Sequence, residues 1–404
     1  MLRKIAVAVL ILIVVLVLAV VAAVLLIDAD DYREELAERA STQLGREVKL
    51  EGPMELRFFP WLALDIRDVT VGNPPAFDQA PPLAGIERAT ASIRVVPLLR
   101  GEIEVGMVTI ERAGLHVVTA RGGTSNLEGL FAPSDKAAEP DEPIDLSNIR
   151  TGTLRFENVV LSLIDLAAGS RTELQLDSLE LDSFAAGKDV PLSLEGRLIE
   201  GSDTALTLDF NGSIRVAADL SEVALSDWTL NYTLPAAGVG GKADGSLAVN
   251  PTAEPLAIEL SELTNRTELG TLVAELTARQ PITASIGKAV RASLPGIELA
   301  LNGDVLNLDG EASIGETISG QLAVTGERLD LSRLAPADAD DASRDRQASQ
   351  NDAAAQDLSA LEMFDLSFSL DLGELVLIDG ATLTQVTARS RLSGGKLTLD
   401  PLSA

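Results

Sequence analysis

From Arg46 onward, apolar and polar residues alternate with a period of two. Val48 and Leu50 sit among Glu47, Lys49 and Glu51, and Leu62, Leu64 and Ile66 alternate with Ala63, Asp65 and Arg67. The pattern returns in Leu206, Leu208 and Phe210, in Trp228, Leu230, Tyr232 and Leu234, and in Leu256, Ile258 and Leu260. Alternation sends successive side chains to opposite faces, so these runs predict half-buried antiparallel strands. Leu174, Leu176, Leu179 and Leu181 slip phase at Ser178, which predicts a bulge or turn. Turn signals such as Gly201-Ser202-Asp203 and Gly394-Gly395 separate the runs. Helical spacing appears before them. Tyr32, Leu36, Ala40 and Leu44 share one stripe of a helix over Asp30–Leu44, with Asp28 or Asp30 as its cap and Gly45 as its stop. Its acidic face (Asp31, Glu34, Glu35, Glu38) suits a helix packed on the end of a domain better than one lying on anionic lipid. A short helical piece is also expected near Lys288–Leu294.

Two stretches break the alternation. Ala132–Pro143 is acidic and rich in Pro and Ala; Ala335–Asp357 has almost no large apolar residue. Both read as linkers or loops. Asp338, Asp340 and Asp341 lack the spacing and turn glycine of an EF-hand, so solvated loop is preferred to a calcium site. The expected organisation is an anchor over 1–27, a helix and β region over 28–131, and an acidic linker over 132–143. An antiparallel β region over 144–334, a disordered acidic loop over 335–357 and the start of a further β region over 358–404 follow.

The anchor comes from the opposite kind of pattern. Ile5 to Ile27 is an unbroken run of Ala, Val, Leu and Ile, centred on Leu16. As a helix it would be about 35 Å long, enough for a bilayer core of about 30 Å. Arg3 and Lys4 precede it and Asp28, Asp30 and Asp31 follow, which leaves a short cytoplasmic tail and exports the rest. A cleaved signal peptide is the competing reading, but its apolar core is usually only about 7–15 residues. This run accounts for the chain's mean hydropathy of +0.20.

Composition then narrows the chemistry. Among 404 residues there is no cysteine and one histidine, and the formal charge is −29. Disulfides, thiol catalysis and Cys- or multi-His metal sites are excluded, and nucleic acid is a poor partner for so acidic a chain. His116 lies in an apolar strand and reads as structural. Gly238-Val-Gly-Gly-Lys-Ala243 formally fits a dinucleotide fingerprint but leads into another strand-like run, so it reads as a hairpin turn. No GxSxG, Walker A or HExxH motif is present, and no catalytic, cofactor or metal residue is assigned. Phe58, Phe59 and Trp61 cluster around Pro60, either as a plug for the first hairpin or as an aromatic contact at a membrane interface or groove mouth.

The strands' apolar face is mostly aliphatic, with few helices to cover it. Periodicity leaves two arrangements open. A second sheet closes the face into a core, or the sheet curls into a trough that meets lipid tails. In the second case Leu174, Leu176, Leu206, Leu208, Phe210, Trp228, Leu230, Tyr232, Leu256 and Ile258 are the candidate lining, because aliphatic burial is non-directional and suits acyl chains.

The first 130 or so residues resemble the AsmA family of bacterial envelope proteins. The resemblance rests on the N-terminal span, Asp28-Ala-Asp-Asp-Tyr-Arg33, Gly45-Arg-Glu-Val-Lys-Leu-Glu-Gly52 and Phe59-Pro60-Trp61-Leu62. Val71-Gly-Asn-Pro74, Val96-Pro-Leu-Leu-Arg-Gly101 and Gly123-Thr-Ser-Asn126 complete it. Leu127 stands where the family often has Trp. Leu329–Leu334 and Phe364–Ala404 are similar to later parts, and the chain stops at Ala404 where the family continues, which reads as truncation. The resemblance implies a mainly β protein, an elongated curved antiparallel sheet of repeating β-grooves with an apolar concave face. It also implies an inner-membrane anchor, a periplasmic body, and phospholipid transport in outer-membrane biogenesis without enzymatic activity. The competing function is a periplasmic scaffold or assembly factor with outer-membrane or periplasmic protein partners.

Overall fold

The computed structural model describes residues 29–57, 61–94, 105–130, 151–315, 317–333, 363–400 and 403. The run Ile5–Ile27, Phe58, Phe59 and the whole of both acidic stretches lie outside them. Among the described residues no helix is long and apolar enough to cross a membrane.

Helix α1 is Arg33–Leu44, preceded by a 3-10 turn over Ala29–Tyr32. It starts three residues later than the apolar stripe predicts, and Tyr32 stands at its N-cap without a side-chain cap. The reason is that Asp30 is used elsewhere. Its carboxylate accepts the Met54 backbone N–H at 2.9 Å and pairs with Arg33. The helix thus gives up a cap to be fastened to a strand. Gly45 stops it as expected, at φ 64°.

The chain is mainly β, and its described residues divide between two compact units, the change falling at Ser178/Leu179. The first carries β1 (Val48–Leu50), β2 (Met54–Arg57), β3 (Trp61–Val71), β4 (Ala84–Arg94), β5 (Val105–Thr119), β6 (Leu154–Asp165) and the start of β7 (Ser170–Leu181). Strands β1 and β2 both pair with β3, and β3–β4–β5 continue antiparallel. The alternation has its expected consequence. Met54, Ile66, Ala89, Ile110 and Phe156 stand in register across one face, and Leu56, Leu64, Ala91, Val108 and Leu154 form the next row. The opposite face is charged. Asp65, only 1% exposed, takes Arg88 in a forked contact (2.7–3.2 Å), with Arg57 at 3.2 Å and Arg67 at 3.6 Å.

The second unit carries β8 (Val190–Glu200), β9 (Asp203–Val216), β10 (Val223–Leu234), β11 (Val239–Asn250) and β12 (Leu256–Leu269), successive antiparallel neighbours. Strands β13 (Leu272–Ala278) and β14 (Ile282–Ile286) together pair with both β12 and β15 (Val290–Leu301). They are one strand position interrupted at Pro281, which cannot donate to a ladder. Strands β16 (Asp304–Ile314), β17 (Ile318–Asp330), β18 (Phe364–Val376), β19 (Thr382–Ser393) and β20 (Lys396–Leu399) complete the unit. Lys288–Leu294, expected as a short helix, falls largely in β15. Val290, Ala292 and Leu294 alternate there and pair with Ile314, Ala312 and Gly310, so cross-strand pairing overrides the local pattern.

Two neighbours break the antiparallel rule. β5–β6 and β17–β18 are parallel. Parallel neighbours need a connection that returns the length of a strand, about a dozen residues or more. Residues 120–153 and 331–363 make those connections, and they contain the two acidic stretches. The breaks in alternation therefore coincide with both of these parallel pairings.

Several strands carry a polar non-glycine residue at positive φ in mid-strand, including Asp68, Arg112, Asn158, Asp227, Glu262 and Gln385. That at Asp227 coincides with a shift of register, as expected of a bulge, which bends a strand and strengthens its twist.

Candidate functional site

Register decides which side chains share a face in the second unit. Phe210, Leu230, Ala243, Asn265, Leu276, Leu299, Leu306, Gly326, Leu372 and Val386 form one row, each in register with the next. Val249, Ile258, Ala284, Ala292, Ala312, Gly320, Leu366 and Leu392 form another. Both rows lie on the same face. The candidate lining residues fall on it too. Leu206 faces Leu198, Leu208 faces Tyr232, Trp228 faces Gly245, and Leu256 faces Ile286. All these candidates are half-buried. Leu174 and Leu176 lie two apart on β7, share a face with each other and are also half-buried.

The face is not covered like the inside of a sandwich. Ile314 is 53% exposed, and Leu322, Leu366 and Phe368 are each more than a third exposed on the same side. Among the described residues one buried cluster closes over part of it, made of Leu306, Val324, Leu372 and Val386. Gly326 makes that closure. A Cβ there would come within 2.7 Å of Leu306 and 3.2 Å of Leu372, so the missing side chain lets leucines of β16 and β18 meet across β17.

Aromatic rings smooth another part. Trp228 and Phe210 stack with centroids 6.4 Å apart. The Trp228 ring lies along β11 over Gly245, and the Tyr232 ring lies over Gly241, where added Cβ atoms would stand 2.8 Å and 2.5 Å from the rings. Both rings lie flat because the facing residue is glycine. Periodicity showed Trp228 and Tyr232 but not this; the signal was the Gly-Gly run at 240–241 and Gly245 opposite a strand with two aromatics.

The opposite, polar face also has a hollow, of about 1020 Å³, with Glu259, Ser293, Glu311, Gln321, Ser367 and Arg391 among its lining residues. Arg391 reaches Asp365 at 3.3 Å, an exposed pair. The hollow holds no nucleophile paired with a base.

In the first unit, α1 leaves a smaller apolar hollow of about 360 Å³ among Tyr32, Leu36, Met54, Leu56 and Leu64. Trp61 opens β3 and pairs through its backbone with Arg94; its side chain lies outside the described residues. His116 stands in register with Ser162 on the neighbouring strand. The fully buried Ser162 hydroxyl contacts Glu173 at 3.4 Å instead, and Glu173 is held by Arg171 and Gln175. Burial, ahead of the Arg171 charge, holds His116 below its ordinary pKa, and its Nδ1 has no partner. A serine held away from the histidine is not an activated nucleophile. Among the described residues no group of three or more acidic or His side chains could hold a metal.

The motif residues converge on a different task. Asn126, fully buried, accepts the Val118 N–H at 2.9 Å and donates to the His116 carbonyl at 2.8 Å and to Asn73 at 2.9 Å. Arg46 donates to the carbonyl oxygens of Asn126 and Glu128. Three short motifs, around residues 46, 73 and 126, are thus one hydrogen-bonded fastening of the loop after β5.

Comparison with known proteins agrees with these motifs. Residues 1–197 match the AsmA family. The chain is similar to protein AsmA of Escherichia coli (strain K12), with 20% identity over 311 residues, 74% of this chain and 46% of that protein. It therefore spans about half the length of the curated relative it matches.

Proposed function

We propose that this chain, whose first half carries the AsmA family pattern, is an inner-membrane-anchored, periplasmic envelope protein. Its apolar β-face forms a curved groove that binds phospholipid acyl chains, assisting lipid transport and outer-membrane biogenesis. The observation that carries the reading is the apolar face of the second unit. It runs in register from β9 to β19 with most of its side chains still half-exposed. A soluble chain gains about 0.8 kcal/mol for each CH₂ it takes out of water. An uncovered aliphatic face of this length therefore favours a ligand that is itself long and aliphatic. The apolar run Ile5–Ile27, as a membrane span, would hold the chain beside a source of that ligand. The groove has no chemistry to perform; it shields tails and leaves head groups in water.

The test is native mass spectrometry of the full chain released from a mild detergent. The expected result is a population carrying co-purified phospholipid, and an emptied chain that takes up labelled phospholipid from vesicles. A chain that is always empty and takes up none contradicts the reading. The scaffold reading rests on Leu397 and Leu399 of β20, exposed apolar side chains that a protein partner would cover. Cross-links to proteins with no lipid signal would favour it.

A further inference from the structure

The apolar face carries a polar island. Asn265, Thr267 and Tyr232 stand on it, and their side chains close a ring of hydrogen bonds. Thr267 Oγ1 donates to Asn265 Oδ1 at 2.8 Å, and Asn265 Nδ2 donates to Tyr232 Oη at 3.0 Å. Tyr232 Oη meets Thr267 Oγ1 at 2.6 Å, and since the threonine proton is already given to Asn265, the tyrosine donates. The ring spans from β10 to β12 because Gly241 on β11 lets the tyrosine ring pass flat above it.

This island has a cost. Asn is disfavoured within strands, and its register neighbours here are Ala243 and Leu276. A polar group on an apolar surface must be satisfied, and the ring satisfies every member except for one hydrogen. The second amide hydrogen of Asn265 is left uncommitted by the ring. Position matters as well. Thr267 lies two residues, about 7 Å, inside Leu269, and Leu269 and Leu234 are exposed apolar side chains near the ends of their strands. On the other side of the ring the face returns to Leu230 and then to the register of Leu247, Leu260 and Ile282.

We propose that the ring is the seat for an ester carbonyl of a glycerophospholipid, the Asn265 amide donating to it. This rests on the lipid-groove reading and refines it. An ester carbonyl only accepts, which matches the single donor left over. With the glycerol esters at the ring, the phosphate reaches the aqueous rim beyond Leu269, and the tails lie on the interior aliphatic rows. The ring fixes where along the groove a diacyl lipid pauses; a plain hydrocarbon, with no acceptor, ignores it.

The experiment compares binding of a phospholipid ¹³C-labelled at both ester carbonyls with binding of hexadecane, using the full chain and its Asn265→Leu and Thr267→Val variants. In the wild type the bound lipid shows a lowered, hydrogen-bonded ester infrared band. Asn265→Leu removes that band and weakens phospholipid binding about five- to tenfold, the loss of roughly one hydrogen bond, while hexadecane binding is unchanged or tighter. Thr267→Val, which keeps the donor but frees its orientation, gives a smaller loss in the same direction. Hexadecane binding also verifies that each variant retains its apolar face. Equal binding of phospholipid by all three chains, or a parallel loss of both ligands in both variants, overturns the proposal. If the wild type binds neither ligand, the groove reading itself fails and the seat with it.

Discussion

Replacing Asp65 with asparagine is expected to cost the first unit about 2–3 kcal/mol of stability. The carboxylate is almost fully buried and takes a forked contact from Arg88, which is itself only partly exposed. Asn keeps the shape but removes the charge, leaving Arg88 with a weaker acceptor in a half-desolvated site. The exposed arginines contribute less, so Arg57→Gln changes stability by less than about 1 kcal/mol. Unfolding is followed by Trp61 fluorescence in a Trp228→Phe background, since the chain has two tryptophans. The pH dependence has a defined sign. The Arg88 hydrogen bond, against the opposing effect of burial, holds the Asp65 carboxyl below its ordinary value. Its contribution is complete above the unfolded-state value of about 3.9 and is lost as pH falls through the lower folded-state value. Wild type and Asp65→Asn therefore differ at neutral pH and converge in acid. A constant difference across that range would assign the effect to shape instead of charge.

Leu230→Asp should empty the groove without unfolding the protein. Leu230 stands between Phe210 and Ala243 and is half-buried, so an aspartate there can still reach water in the empty chain. Folding then loses about 1–2 kcal/mol of apolar transfer energy. A bound acyl chain would instead have to lie on a carboxylate, and desolvating that charge costs several kcal/mol. Phospholipid retention in native mass spectra is expected to fall more than tenfold, with thermal unfolding shifted only slightly, and Leu208→Asp should act alike. If both variants simply unfold, the face is a closed core.

The strands were legible because a half-buried strand writes its two faces directly into the order of residues. Leu206, Leu208 and Phe210 could be placed on one face from spacing alone, and so could Trp228, Leu230 and Tyr232; that their two strands are neighbours was not legible. Strand direction is not written locally. Nothing in Ala132–Pro143 or Ala335–Asp357 states that the strands on either side run parallel, although a long connection is what such a pair needs. The late start of α1 was hidden for a similar reason. Asp30 is a good cap by type, but its partner, Met54, lies 24 residues away. Positive φ at Arg112 or Gln385 left no mark, because neither residue type announces it. The family motifs were visible as words and unreadable as a structure until Arg46, Asn73 and Asn126 met. Asn265 and Thr267 could have been noticed. They occupy the parity shared by Leu263 and Leu269, and two polar residues in apolar register are a departure that period-two counting detects.

The central claim is that lipid lies on one face of the sheet and not the other. The most direct measurement places a photoactivatable benzophenone amino acid at each position from 206 to 210 and from 228 to 232, irradiates cells, and scores phospholipid attached to the purified chain. The account predicts labelling that alternates with position, strong at Leu206, Leu208, Phe210, Trp228, Leu230 and Tyr232 and weak at Thr207, Asp209, Thr229 and Asn231. Labelling without alternation, or cross-links to protein alone, would contradict it.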